Sequence, residues 1–216
     1  MLFGLMSGMA FAEHREYEQK SSISTLILLK HDFVFPDKGK SFMSEALSLW
    51  WHVDDWFGIG GDFTAQPGNN NYLDASSYIT INKKKSPIYG LMGYFTNSNG
   101  EDFIHTGGWY IDKFGKIDVF ADVRNYWAVD GKSSSYLDSF GEATYALGDK
   151  FAPGINLEQI HYWSGGSHNW YFAGPIVYYK ISETTTVYVR GSREWNVVGS
   201  ASDSTNKVRV ALKFNF

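Results

Sequence analysis

The chain has 216 residues, a length that suits one all-β domain and leaves little room for two. Its formal net charge is −4 and its Lys and Arg residues are scattered, so it lacks the basic patch typical of nucleic-acid-binding proteins, and we expect no nucleic-acid partner. It has no cysteine, which excludes disulfides and cysteine-ligated metal sites.

An apolar stretch from Leu2 to Phe11 opens the chain. Ala10, Phe11 and Ala12 follow the small-x-small pattern that precedes cleavage, which predicts a signal peptide over residues 1–12. The match is incomplete because the usual positively charged start is missing, and a short buried strand or helix is the alternative. We expect residues 13–216 to form a single domain. No later run reaches the roughly 18 apolar residues of a membrane-spanning helix.

Twelve segments in which apolar and polar residues alternate follow along the chain. They predict strands over residues 21–34, 42–53, 56–65, 72–83, 87–97, 102–112, 116–127, 135–147, 151–163, 169–181, 184–196 and 205–216. Most exceed the roughly five or six residues of a strand in a soluble protein. They match the about 9 to 11 residues with which a tilted strand crosses a bilayer.

The predicted connections alternate in length. Tight turns are VDDWF, NKKKSP, DKFGKI, LGDKF and ISETTT. The intervening connections are mostly longer and rich in Gly, Ser and Asn: PDKGKS, AQPGNNN, TNSNGE, VDGKSSS, SGGSH and VVGSASDSTN. Short turns at one end and longer loops at the other are typical of transmembrane barrels. An even number of strands also predicts that both chain ends lie at the short-turn end.

Aromatic residues concentrate near the ends of the predicted strands, which favours the two interfacial girdles of a membrane barrel. The predicted outer band comprises Phe33, Phe42, Phe63, Tyr72, Phe95, Phe103, Trp127, Tyr136, Trp163, Trp170 and Trp195. The predicted inner band comprises Trp51, Trp56, Trp109, Tyr145, Phe151, Tyr179, Phe214 and Phe216. The alternative is that aromatic residues simply favour strands.

The last strand, KVRVALKFNF, shows the two faces most clearly. Val208, Val210 and Leu212 point to one side, whereas Arg209 and Lys213 point to the other. A soluble barrel would place its apolar face inside, so the faces alone do not decide. The predicted fold class is all-β, and strand length, aromatic bands, predicted secretion and the terminal Phe216 together favour a barrel in a membrane. We predict a transmembrane antiparallel up-and-down β-barrel of about twelve strands, with apolar residues toward lipid and charges toward the lumen.

The final ALKFNF, with aromatic or apolar residues at alternate positions back from Phe216, resembles the C-terminal assembly signal of bacterial outer-membrane β-barrel proteins. The resemblance implies a location in the bacterial outer membrane, with membrane lipid as a partner and the assembly machinery as a second partner that recognises Phe216. Small twelve-stranded channels of this class for nucleosides or acidic oligosaccharides have a similar size and similarly compact loops. The sequence holds no diagnostic motif of either, and the arginine-rich lumen expected for acidic sugars is not evident.

The faces opposite the apolar ones predict a charged lumen. Acidic residues dominate the middle strands and basic residues dominate the joined ends, so closure would place the two arcs across the bore from each other. We predict that selectivity is set by Asp62, Asp74, Asp118, Asp122, Arg124, Asp138, Glu142, Glu158, Lys180, Arg190, Arg209 and Lys213. Other predicted inward charges are Lys30, Asp32, Glu194 and Lys207. The alternative is that these charges pair across a filled lumen.

Predicted inward aromatic residues offer surfaces on which a sugar or base could stack, or they simply fill space. They are Tyr78, Phe120, Tyr126, Phe140, Tyr178 and Tyr188. Together these features predict a porin-like outer-membrane channel for passive diffusion of a small polar or charged solute, with no enzymatic activity, cofactor or metal. A structural or adhesive barrel with a plugged lumen is one alternative.

A lipid hydrolase is a further alternative, because such an enzyme needs a serine, a histidine and a polar orienting group within reach of one another. Ser167, His168 and Asn169 share one predicted outer loop, and His31 precedes Asp32. Adjacent residues of a strand point to opposite faces, however, so neighbours in sequence do not make a triad. The six histidines also lack metal-ligand spacing.

Overall fold

The computed structural model describes residues 24–37, 40–54, 56–67, 72–82, 86–163, 169–196 and 205–216. The predicted signal peptide, residues 1–12, lies outside these ranges. Among the described residues, no helix is long and apolar enough to cross a membrane.

All twelve predicted strands are present, with ends that differ from the prediction by a few residues. The first six are β1 (Ser24–Pro36), β2 (Phe42–His52), β3 (Phe57–Gln66), β4 (Tyr72–Asn82), β5 (Ile88–Asn97) and β6 (Asp102–Phe114). The last six are β7 (Ile117–Ala128), β8 (Tyr136–Tyr145), β9 (Phe151–Tyr162), β10 (Trp170–Lys180), β11 (Thr185–Asn196) and β12 (Thr205–Asn215).

The strands form a closed barrel in which each one pairs with its neighbours in sequence and β12 pairs with β1. All these pairings are antiparallel, so the predicted up-and-down barrel is confirmed. At the seam, Thr25 and Phe216 exchange two backbone hydrogen bonds of 2.9 Å. Closure therefore leaves no unpaired sheet edge, and it brings the C-terminal Phe216 to the short-turn end beside the start of β1.

Local hydrogen bonds shape the connections at both ends. In the turn after β2, the Asp54 carboxylate accepts hydrogen bonds from the backbone N–H groups of Trp56 and Phe57, at 2.7 and 2.8 Å. In the β7–β8 loop, Asp130 accepts hydrogen bonds from the Ser133 hydroxyl and from the backbone N–H groups of Ser133 and Lys132. These donors lower the pKa of Asp130 to about 2, because they stabilise its charged form.

The two faces of each strand differ in exposure, as β12 illustrates. Val208, Val210 and Leu212 are 37–38% exposed, whereas Arg209 and Ala211 between them are 2% exposed. The same alternation places large apolar side chains on the outside of the other strands, including Leu29, Leu49, Ile59, Leu73, Ile81, Met92, Ile104, Val123, Ile155, Leu157 and Val189. An apolar exterior around an interior that holds the buried charged side chains is the arrangement of a membrane-spanning barrel.

The aromatic bands follow the prediction only in part. Exposed aromatic side chains near the short turns are Trp51, Trp56, Tyr145, Phe151, Tyr179 and Phe216, and those near the longer connections include Phe33, Phe63, Trp127 and Trp163. The prediction is wrong for Tyr72, Phe95, Phe103 and Trp109, which are buried inside the barrel. Each occupies a lumen-facing position of its strand, so it packs with other interior side chains and not with lipid. The Trp195 side chain lies outside the described set.

Glycines in β3 make room for interior rings. A Cβ on Gly60 would lie 2.3 Å from Cε2 of Tyr78, and a Cβ on Gly58 would lie 2.8 Å from Nε1 of Trp50. The two rings can therefore lie over the β3 backbone only because both positions lack a side chain. The small residues of GIGGDF, residues 58–63, therefore relieve crowding inside β3.

Candidate functional site: the barrel lumen

The structure places every predicted selectivity residue on the lumen-facing side of its strand. Lys180 is half-buried, and the others are buried: Asp62, Asp74, Asp118, Asp122, Arg124, Asp138, Glu142, Glu158, Arg190, Arg209 and Lys213. The predicted inward residues Lys30, Asp32, Glu194 and Lys207 are buried as well. Strand alternation therefore identified the side chains that surround the bore.

A continuous group of apolar side chains, here called the apolar layer, lies mostly in the half of the barrel nearer the short turns. Its members are Leu26, Leu28, Trp50, Tyr78, Tyr89, Leu91, Trp109, Ile111, Phe120, Phe140, Ile176, Tyr178, Tyr188 and Ala211. They come from every strand except β3 and β9, and Ala152 of β9 packs against them. The layer therefore extends around the wall except at β3.

Aromatic rings of the apolar layer meet across the bore. The ring centroids of Trp50 on β2 and Trp109 on β6 are 6.2 Å apart, although these strands are four positions apart around the wall. Trp109 also lies 5.8 Å from Tyr78 and 6.1 Å from Tyr89, centroid to centroid. Because side chains from separated strands approach one another, this side of the layer projects into the bore and does not merely line the wall.

Charged residues near the middle of their strands form a second group, here called the ionic belt. It comprises Lys30, Asp32, Asp62, Asp122, Arg124, Glu158, Arg190 and Arg209. At the barrel seam, Arg209 binds Asp32 through Nε–Oδ1 and Nη2–Oδ2 contacts of 2.6 and 2.8 Å. Lys207 Nζ lies 3.8 Å from the same carboxylate. One buried carboxylate thus partners two cations, as the cost of burying charge requires.

Arg190 in β11 makes a second buried ion pair. Its Nη2 donates to Oε2 of Glu158 in β9 at 3.3 Å, reaching past β10. Its guanidinium carbon also lies 5.0 Å from the ring centroid of Phe140, a cation–π distance. Arg190 therefore joins the ionic belt to the apolar layer beneath it.

Arg124 in β7 makes the longest connection. It donates to Asp122 through Nε–Oδ1 and Nη2–Oδ2 contacts of 2.9 and 2.7 Å. Its Nη1 lies 3.8 Å from Oδ2 of Asp62 in β3, four strands away. Its guanidinium carbon lies 5.2 Å from the Tyr78 ring centroid and 5.9 Å from that of Trp109. Arg124 thus caps the aromatic contacts and reaches across the bore.

Nearer the longer connections, the interior is mainly acidic and aromatic. Asp74, Asp138 and Glu194, here called the outer carboxylates, lie there with Lys207. Phe95, Phe103 and Tyr126 pack together at the same end, with ring centroids 5.7 to 6.3 Å apart. Solutes approaching from this end would meet more negative than positive charge.

Among the buried interior residues that the structure describes, acids outnumber bases by nine to six. The acids are Asp32, Asp62, Asp74, Asp118, Asp122, Asp138, Glu142, Glu158 and Glu194. The bases are Lys30, Arg124, Arg190, Lys207, Arg209 and Lys213. The predicted acidic and basic arcs are partly neutralised by ion pairs. Asp32 and Glu158 bind arginines of the basic arc, and Arg124 binds carboxylates of the acidic arc.

Two features of the lumen were not predicted. Trp50 was assigned to neither aromatic band nor lumen, and yet it donates from Nε1 to the Thr80 hydroxyl at 3.2 Å inside the barrel. His105 is fully buried, and its ring stacks on Tyr126 with centroids 5.2 Å apart. Both residues occupy alternating inward positions, so strand parity is the signal that could have identified them.

Of the residues considered for a hydrolase, the structure describes His31, Asp32 and Asn169, and each has a different partner. His31 faces outward, where its Nδ1 contacts Oε1 of Glu45 at 2.5 Å, whereas Asp32 lies inside with Arg209. Asn169 accepts a hydrogen bond of 3.3 Å from the Tyr162 backbone N–H. Ser167 and His168 lie outside the described residues. Within the described ranges, no group of three or more acidic or histidine side chains is arranged to hold a metal ion.

Comparison of the barrel with solved structures shows similar folds. The KdgM porin is 12% identical, with a TM-score of 0.63, and the match covers 88% of this chain and 99% of that chain. The NanC porin is 13% identical, with a TM-score of 0.62, and the match covers 86% of this chain and 98% of that chain. Outer membrane phospholipase A from Escherichia coli is 12% identical, with a TM-score of 0.52, and the match covers 87% of this chain and 89% of that chain. No protein-family model and no curated protein matches the chain. These likenesses show a shared barrel fold.

Proposed function

We propose that the protein is a porin-like channel through which small polar or charged solutes diffuse passively. The observation that carries the proposal is the ionic belt, a group of buried charged residues inside a closed barrel whose exterior is apolar. Charged side chains are costly inside a membrane protein, and they usually mark a path for water, ions or solutes. The likeness in fold to the KdgM and NanC porins supports this proposal. Passive diffusion needs no catalytic residue and no cofactor.

The proposed location is the bacterial outer membrane. A closed barrel with exposed apolar strands suits that membrane, because each described strand pairs with a neighbour on both sides. Membrane lipid is the partner of the outer surface. Phe216 is 63% exposed at the end of the seam, so its ring is accessible to the outer-membrane assembly machinery during insertion. The signal peptide over residues 1–12 would direct export.

We propose further that the channel prefers cations. The excess of acidic over basic residues among the described interior side chains favours positive ions, because a low-dielectric wall concentrates the field of its charges within the bore. The outer carboxylates Asp74, Asp138 and Glu194 extend this field toward the longer connections. The same field would disfavour the passage of anionic sugars.

A structural barrel with a filled lumen is the second candidate. The contact between Trp50 and Trp109 favours it, since rings that meet across the bore leave little room for a solute. This candidate and the channel share one fold and differ in conductance alone.

Planar-bilayer recording distinguishes the two candidates. The full chain, refolded in detergent and added to a bilayer in a KCl gradient, is expected to give discrete conductance steps and a reversal potential that favours K⁺. Detergent without protein and heat-denatured protein are the controls. Silence of correctly folded protein, together with silence of variants whose lumen has been enlarged, would exclude the channel and leave the structural barrel.

A further inference from the structure

We propose that Arg124 is the residue that limits conductance and determines ion preference in this barrel. The inference rests on the proposed channel function and deepens it, because it assigns the narrowest part of the path to one side chain. Arg124 occupies the boundary between the ionic belt and the apolar layer, where it contacts members of both.

The first reason is the span of its contacts. The Arg209–Asp32 pair joins two strands that are direct neighbours, and the Arg190–Glu158 pair passes a single strand. Arg124, in contrast, lies between Asp122 on its own strand and Asp62 four strands away. The first two pairs can remain along the wall, whereas the Arg124–Asp62 contact crosses the opening itself.

The second reason is what lies on the short-turn side of Arg124. Its guanidinium rests on the rings of Tyr78 and Trp109, and Trp109 in turn contacts Trp50. A solute that passes Arg124 on this side of the bore therefore meets aromatic rings next. Displacing Arg124 also removes a cation–π partner from both rings, so the ion pair and the ring contacts stabilise one closed arrangement.

The third reason is its charge. Guanidinium stays protonated at any physiological pH, so Arg124 contributes a constant positive charge between two carboxylates. With Arg124 present, the group of Arg124, Asp62 and Asp122 has one excess negative charge. Removing the arginine gives this group a second excess negative charge, whereas removing the Asp62 charge leaves the group neutral. Neutralising Arg124 and neutralising Asp62 should therefore shift ion preference in opposite directions.

The test is single-channel recording of the full chain carrying Arg124→Gln or Asp62→Asn. Both variants break the contact across the bore, so each should raise conductance at least about twofold. Arg124→Gln should raise the permeability ratio of K⁺ to Cl⁻ by about threefold, and Asp62→Asn should lower it by a similar factor. A loosened structure alone would not produce opposite shifts in ion preference.

The matched control is Arg193→Gln, the same chemical change outside the bore. Arg193 is half-exposed, and its guanidinium lies 3.7 Å from Asp37 at the protein surface. This variant should conduct as the unaltered protein does. Equal effects of Arg193→Gln and Arg124→Gln would contradict the proposal, because they would reflect overall charge and not the bore.

The outcomes separate this inference from the channel proposal. If the unaltered protein conducts and neither Arg124→Gln nor Asp62→Asn changes conductance or ion preference, Arg124 is not the limiting residue and the channel proposal stands. If the unaltered protein is silent and Arg124→Gln conducts, Arg124 is the closing side chain. Silence of the unaltered protein and of every folded variant would overturn both proposals.

Folding of each variant is checked by circular dichroism and trypsin resistance in detergent. Should Arg124→Gln fail to fold, Arg124→Lys keeps the charge and removes the two-pronged contact with Asp122. We expect Arg124→Lys to raise conductance without changing ion preference. Unchanged conductance in folded Arg124→Lys would contradict the proposal.

Discussion

The apolar layer and the ionic belt occupy the same barrel interior but hold it together in different ways. In the apolar layer, rings such as Trp50 and Trp109 meet across the bore as side chains do in a soluble core. In the ionic belt, Arg209 and Arg190 each bind a carboxylate on a nearby strand. Packing of rings depends mainly on the volume and apolar area that they bury, whereas the ion pairs depend on charge and on hydrogen-bond geometry.

This difference shows how one barrel can be both firm and polar inside. The apolar layer contributes stability through buried area, and removing volume should weaken it. The ionic belt contributes less net stability, because burying charge offsets much of the attraction, but loss of one partner leaves an uncompensated charge. Arg124 belongs to the belt and rests on rings of the layer, so it couples the two.

The largest effect is expected from Trp109→Ala, which removes the central ring of the apolar layer. Trp109 is 2% exposed and contacts three other rings, so we expect the free energy of unfolding to fall by about 3 to 5 kcal/mol. Urea unfolding in lipid vesicles measures the change. Trp51→Ala is the matched control, since Trp51 is 46% exposed on the outer face. Equal losses in the two variants would contradict packing across the bore.

The next effect concerns the ionic belt at the barrel seam. Asp32→Asn leaves Arg209 and Lys207 without their shared carboxylate, which should lower the free energy of unfolding by about 3 kcal/mol. Asp37→Asn removes the acid of an exposed pair with Arg193 and should cost less than about 1 kcal/mol. Denaturation curves for both variants test this contrast. An unchanged free energy of unfolding in Asp32→Asn would show that the buried pair is not needed for stability.

A smaller effect is expected where β6 approaches β7 beside Arg124. A Cβ on Gly107 would lie 1.9 Å from the Val123 carbonyl oxygen, so Gly107→Ala must displace backbone and should cost about 1 to 3 kcal/mol. A Cβ on Gly141 would meet its nearest atom, the Phe120 carbonyl oxygen, at 3.8 Å, and Gly141→Ala should be close to neutral. Thermal unfolding in detergent compares the two, and similar melting temperatures would disprove the close approach.

The smallest effect concerns a polar contact within the apolar layer. The Tyr178 hydroxyl donates to Oε1 of Glu142 at 2.7 Å, and Tyr178→Phe removes this bond while keeping the ring. We expect a loss of about 1 to 2 kcal/mol, because the buried carboxylate loses a donor. Tyr179→Phe, on the exposed neighbouring residue, should change stability little. Urea unfolding in lipid vesicles measures both variants. Unchanged stability of Tyr178→Phe would mean that Glu142 finds another donor.

Strand number and facing could be predicted from the sequence because alternation is a local property of an extended chain. Val208 and Arg209 illustrate this, since their exposure follows directly from their neighbouring positions in β12. Trp109 and Phe95 show the limit of the approach. They were assigned to the lipid interface from their nearness to strand ends, but strand parity turns them inward.

The contact between Arg124 and Asp62 could not be predicted in the same way. It joins strands that are four positions apart, so it depends on how the wall curves and how neighbouring rings pack. Gly58, Gly60 and Gly107 allow close approaches that no local pattern of charge encodes. Sequence therefore identified the residues that face the lumen, but not their partners or the filling of its apolar layer.

The central claim is that apolar side chains face lipid and charged side chains face the lumen, and spin-label accessibility along β12 tests it directly. The chain has no cysteine, so single Cys substitutions at positions 208 to 212 can each be labelled cleanly in lipid vesicles. Labels at 208, 210 and 212 should collide readily with lipid-soluble oxygen, and labels at 209 and 211 should not. The opposite pattern, or uniform accessibility at all five positions, would contradict the account.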